Sequence, residues 1–121
     1  MPGLHLIADL ARCPDQPLLR QAPALQQLCR REAAAAGLQV VGELFHPFLA
    51  PDGAPLGVTG VLLLAESHVA LHTWPERGVV TLDVYVCNVG ADHSAGAEAL
   101  LAALIEALQP GQRTVQRVQR G

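Results

Sequence analysis

Hydrophobic and polar residues alternate with a period of two along several short stretches of this chain, and with a helical period along two longer ones. Leu4–Leu10 sets His5, Ile7 and Asp9 on one face and Leu4, Leu6, Ala8 and Leu10 on the other, which predicts a strand. Cys-Pro-Asp-Gln-Pro at 13–17 breaks it. Residues 18–36, rich in Leu, Gln, Arg and Ala, predict a helix that ends at Gly37. Leu25, Leu28, Cys29 and Glu32 step along one side, which makes Cys29 a core residue. Residues 38–49 predict a second strand, and 50–57 a loop with Asp-Gly at its turn. Strands follow over 58–65, 68–74 and 79–87, with a Pro75–Gly78 turn before the last. In that last strand Thr81, Asp83, Tyr85 and Cys87 share one face, opposite Val80, Leu82, Val84 and Val86. A second helix is predicted over 94–108, with Asp92 or Ser94 as its N-cap and Pro110-Gly111 as its stop. Residues 114–118 predict a short edge strand.

Adjoining strands and few helices imply an α+β fold in one domain spanning 1–121: a two-layer sandwich, mostly antiparallel, with two helices on one face of the sheet. The other face would carry a site, and a dimer is expected.

Composition narrows the function. The chain has 121 residues and a net charge of −3, and Arg30-Arg31 is an isolated basic pair, so nucleic-acid binding is not expected. No apolar run approaches the roughly 18 residues of a membrane span, and Met1–His5 has no signal-peptide shape. A soluble cytoplasmic protein is the expectation. Three cysteines, Cys13, Cys29 and Cys87, lie far apart with no Cys-x-x-Cys, which argues against a disulfide framework or structural zinc. The chain has no lysine, so it cannot hold pyridoxal phosphate through the usual lysine linkage.

The densest polar cluster is Ala65–Pro75, where Glu66, Ser67, His68 and His72 interrupt apolar sequence. Buried polar groups must be hydrogen-bonded, so these are either quietly satisfied or do chemistry. On a strand, His68 and His72 share a face but lie about 13 Å apart, too far to chelate one ion together, so no metal is expected. Ser67 lacks the Gly-x-Ser-x-Gly context of a hydrolase nucleophile. Its hydroxyl could instead attack the carbonyl of the residue before it, cut the chain between Glu66 and Ser67, and leave a pyruvoyl group. Cys87 faces the polar side of its strand, yet a small buried hydrophobe is an equal reading. Cys13 sits in a loop and reads as structural.

Four motifs in order, Gly57-Val-Thr-Gly60, Glu66-Ser-His68, His72-Thr-Trp-Pro-Glu76 and Leu82-Asp-Val-Tyr-Val-Cys87, resemble the prokaryotic S-adenosylmethionine decarboxylase proenzymes over nearly the whole chain. The resemblance implies self-cleavage into a β chain, 1–66, and an α chain, 67–121, whose first residue becomes a pyruvoyl group derived from Ser67. It implies that His72, and with it Thr59, assists processing, and that Cys87 donates a proton in decarboxylation. It implies that Phe48 stacks on adenine and that Glu76 lies near the ribose; His68 and Asp83 are further candidates for the substrate site. It further implies a sandwich that dimerises with sites at or near the interface. The pyruvoyl carbonyl would condense with the substrate amine and draw off electrons as carbon dioxide leaves, supplying the aminopropyl donor for spermidine synthesis. The chain departs from the family pattern at Arg77-Gly78-Val79 and at Asn88, near the expected pocket. Those departures keep L-ornithine or L-arginine open as substrates, with Asp83 and Glu76 as acidic partners for a distal cation. An uncut regulatory homologue is the third reading, motivated by Thr59 in place of a serine.

Overall fold

The computed structural model describes residues 1–121. Six strands form one antiparallel sheet in the order β2-β3-β4-β5-β1-β6. They are β1 Gly3–Ala11, β2 Val40–Leu49, β3 Pro55–Leu64, β4 Ser67–Trp74, β5 Val79–Cys87 and β6 Gln112–Arg120. The helices are α1 Pro17–Arg20, α2 Ala22–Ala35 and α3 Ser94–Leu108. None is long and apolar enough to cross a membrane.

Alternation places the core. Leu4, Leu6, Ala8 and Leu10 of β1, Val69 and Leu71 of β4, and Val80, Leu82, Val84 and Val86 of β5 are all buried. They meet Leu25, Cys29 and Ala33 of α2 and Leu100, Leu101 and Leu104 of α3 in one apolar cluster. Each such leucine contributes roughly 2 kcal/mol by leaving water. The intervening residues of each strand face away from the helices and leave that side of the sheet open. Leu44, Leu63 and Val118 lie exposed there, with the rings of Phe48 and Trp74.

The helix expected over 18–36 is two helices, and the reason is chemical. Pro23 has no N–H to donate to the Leu19 carbonyl. Thr73 takes that acceptor instead: its Oγ1 donates to Leu19 O at 2.7 Å and accepts from the Val58 amide at 2.8 Å. The chain is extended at Gln21, and α2 begins after it. At the other end of α2, the Leu38 amide donates to Ala33 O and the Gly37 amide to Ala34 O, both at 3.0 Å. That is a Schellman closure with Gly37 at φ +79, as its sequence position implies.

Strand β3 begins at Pro55, so Pro55–Gly57 belong to the sheet and not to the preceding loop. Gly57 lies so close to the Thr73 carbonyl that no Cβ would fit. Strand β2 starts at Val40, two residues later than expected, and carries irregularities at Val40/Gly42 and Pro47/Leu49. Strand β6 runs over nine residues, longer than 114–118, and pairs along all of β1 as an edge.

Candidate active site

Strand β3 turns into β4 through Ala65-Glu66, with Leu64 paired to Ser67. Glu66 has φ +59, a left-handed conformation that costs a residue with a Cβ about 1 kcal/mol or more. The peptide bond singled out in the sequence therefore follows a strained residue in a tight turn. On its far side, the Cys87 amide donates to Ser67 Oγ at 3.0 Å. That bond leaves the hydroxyl proton free to be given away. Cys87 is a free thiol, buried but outside the apolar core cluster.

A cavity of about 560 Å³ opens at the opposite end of β4, lined by Phe48, Leu56, Thr59, His72, Trp74 and Glu76 among others. His72 Nδ1 and Thr59 Oγ1 share a hydrogen bond of 2.9 Å across the β3–β4 pair. Phe48 stands edge-on to His46 at 4.9 Å, and the His72 and Trp74 rings lie 6.0 Å apart. The cavity offers aromatic walls, one imidazole held by a hydroxyl, and one carboxylate. A planar, partly cationic ligand suits that lining.

Ser67 and His72 do not meet within one chain. Five residues of extended strand put them about 16 Å apart. The structure thus divides the expected site: Ser67, Glu66 and Cys87 at one end of the sheet, Phe48, Thr59, His72 and Glu76 at the other.

His68 and Asp83 are bonded to each other. Asp83 Oδ2 accepts from His68 Nε2 at 2.9 Å and from His5 Nε2 at 2.8 Å. Ligand atoms of these three residues lie within 4.8 Å of one another, a grouping able to hold a cation. The spacing of His68 and His72 along β4 gives no sign of this grouping. His5 lies 63 positions before His68 and Arg120 lies 37 positions after Asp83, and only the placement of β1 between β5 and β6 brings them in. The one available signal was that His5 and Asp83 both sit on the polar faces of their strands.

Asn88 also differs from its expected place. Its Oδ1 accepts from the His93 amide at 2.8 Å, and its Nδ2 donates to Ser94 Oγ at 3.0 Å. Asp92 Oδ1 accepts from the Ser94 amide at 2.9 Å, which pulls the Asp92 carboxyl below the ordinary carboxylate range. Asn88 therefore organises the start of α3 and does not line the cavity. Arg77, with Val79 and Thr81, lines a second hollow that shares Trp74 and Glu76 with the first.

Residues 4–121 match the family described as S-adenosylmethionine decarboxylase. Over 90 residues, 74% of this chain, it is 38% identical to the S-adenosylmethionine decarboxylase proenzyme of Thermococcus onnurineus, covering 60% of that protein. The corresponding proenzyme of Thermotoga maritima is 36% identical over 90 residues, covering 65% of its length. The matched stretch thus spans about three-fifths of these curated relatives. The crystal structure of adenosylmethionine decarboxylase from Aquifex aeolicus superposes with a TM-score of 0.85 at 32% identity, covering 99% of this chain and 91% of that one. By profile, identity and fold together, this chain belongs to the S-adenosylmethionine decarboxylase family.

Proposed function

We propose that the chain is a proenzyme that cuts itself between Glu66 and Ser67 and then decarboxylates S-adenosylmethionine. The observation that carries this reading is the left-handed φ of Glu66 directly before a serine whose hydroxyl the Cys87 amide holds at 3.0 Å. Ser67 Oγ attacks the Glu66 carbonyl carbon, its proton passes to the departing Ser67 nitrogen, and an ester replaces the amide. Relief of backbone strain favours that exchange. Loss of the Ser67 α-proton then expels the Glu66 carboxylate. Water replaces the nitrogen, which leaves as ammonia, and the carbonyl remains on the α chain.

The residues present fit such a group: a serine at a strained bond, a cysteine whose amide holds that serine's hydroxyl, and no lysine to offer a competing linkage. When formed, the pyruvoyl carbonyl supplies the electron sink for loss of carbon dioxide. Cys87 delivers the proton that replaces the carboxylate. Phe48 and Trp74 sandwich the planar base, and Glu76 orients the sugar or balances the sulfonium. His72, oriented by Thr59, moves protons.

Because Ser67 and His72 lie about 16 Å apart on one strand, one chain cannot place both on one substrate. A two-fold pair meeting through the open faces of the sheets would set each cavity against the partner's cleaved end. It would also cover Leu44, Leu63 and Val118. Three unbridged cysteines support a reducing, cytoplasmic setting.

The amino-acid alternatives are weaker on this geometry. Asp83 is already engaged by two imidazoles, so L-ornithine or L-arginine would lose one acidic partner. The uncut-homologue reading is weakened because Thr59 keeps the hydroxyl that meets His72.

Intact mass under denaturing conditions tests the proposal, with two fragments parted before residue 67 expected. Carbon dioxide release is expected from S-adenosylmethionine and not from ornithine or arginine. A chain that stays whole and carries no hydrazine-reactive ketone would sink it.

A further inference from the structure

We propose that Arg120, His5, Asp83 and His68 form a positioning network that holds the residue just after the cut, so that the new α-chain end stays in place once its turn is severed. This rests on the self-cleavage reading above. The four residues come from β6, β1, β5 and β4, which are contiguous through the order β4-β5-β1-β6.

The polarity of the network follows from its ends. An arginine side chain only donates, so the 3.3 Å contact from Arg120 Nη1 makes His5 Nδ1 an acceptor. His5 must then carry its hydrogen on Nε2, which donates to Asp83 Oδ2 at 2.8 Å. An ionised carboxylate only accepts, so His68 also presents Nε2–H to the same oxygen, at 2.9 Å. The Tyr85 ring packs 5.7 Å from each imidazole, and the Arg120 guanidinium lies 5.4 Å over its face. A cation bound by the three ligand atoms would have to strip the hydrogen from His5 Nε2. The hydrogen would move to Nδ1, against Arg120. The observed donor pattern therefore favours a hydrogen-bonded clamp over a metal centre.

Cleavage changes what holds residue 68. Before it, the Ala65-Glu66 turn tethers the start of β4 covalently. Afterwards residue 67 begins a chain, and chain ends fray unless tied down. His68 retains its backbone pairing with Leu63 and Tyr85. Its side chain adds a tie, through Asp83, to β5 and β1. Displacement of a reacting group by about 1 Å costs up to 100-fold in rate, so this tie acts on turnover and not on substrate affinity.

The test compares the unaltered protein with Asp83→Ala and Arg120→Ala. Cleavage should go to completion in all three. In Asp83→Ala, kcat per cleaved chain should fall about 10- to 100-fold, while KM stays within about threefold. Nitrogen-15 spectra of histidine-labelled protein at pH 8, above the ordinary imidazole range, should show His5 and His68 as Nε2–H tautomers. Arg120→Ala, at an exposed edge, should let His5 populate the Nδ1–H form, and Arg120→Lys should restore the original. Full cleavage with an unchanged kcat in Asp83→Ala would overturn the proposal and leave the processing reading intact. An unaltered protein that never cuts would sink the processing reading and this proposal with it. Nδ1–H tautomers in the unaltered protein, or stoichiometric zinc replacing both Nε2–H signals, would also overturn it. Should Asp83→Ala not fold, the Arg120 pair and the spectra decide.

Discussion

The Cys87 amide and the Ser67 hydroxyl meet at 3.0 Å, although 20 positions separate them in the chain. The pairing of β4 with β5 brings the end of one strand beside the start of the other. Ser67 and Cys87 therefore share one corner of the sheet.

Strain at Glu66 is separable from the chemistry. In a Ser67→Ala background, which cannot cleave, Glu66→Gly should raise stability by about 1 kcal/mol in urea denaturation, because glycine accepts φ +59 freely. With Ser67 intact, the same change should slow cleavage several-fold, followed by gel or mass over time. Unchanged stability and unchanged cleavage would show that the turn stores nothing.

A site shared between two copies predicts complementation. His72→Ala and Cys87→Ala should each decarboxylate poorly alone. Mixed and reassembled, they should regain up to about a quarter of normal activity, since half the dimers are hybrid and each hybrid has one whole site. No recovery, with hybrids demonstrated by mass, would place the whole reaction within one chain.

Thr73, only 4% exposed, bridges the Val58 amide and the Leu19 carbonyl. Thr73→Val keeps the shape but orphans both partners. Stability should drop by about 2 kcal/mol, read from thermal or chemical unfolding, with the cavity residues on either side loosened.

The response to pH has two opposite arms. Hydrogen bonds from Arg20 to Asp15 and from the Ser94 amide to Asp92, and the Arg30 guanidinium 2.9 Å from Glu43, hold these carboxyls below the ordinary carboxylate range. The unfolded chain therefore takes up protons first as pH falls. Their stabilising effect is complete above the ordinary carboxylate range and is lost as pH drops through the lowered values. Burial pushes the Cys29 thiol the other way, up to about 12. Its effect is complete below about 9 and is lost as the unfolded thiol ionises above that. Urea midpoints should fall at both extremes. Glu43→Gln should flatten the acid arm, and Cys29→Ala should flatten the alkaline one. Native Cys29 should resist alkylation at pH 8 and react once unfolded.

Much of this was readable along the chain because the relevant periods are local. A strand turns every second side chain to one face whatever it pairs with, so the buried row Val80, Leu82, Val84 and Val86 and the polar row Thr81, Asp83, Tyr85 and Cys87 follow from β5 alone. The Gly37 stop and the Glu66-Ser67 bond are equally local. Pro23 stood in plain view as well, but its consequence depended on Thr73 arriving from β4 to donate to the freed Leu19 carbonyl.

Strand order is not local. It is decided by which faces bury together and how the connections close, and no period within one strand encodes its neighbour. Only the folded sheet set β1 beside β5 and so gave Asp83 its second histidine.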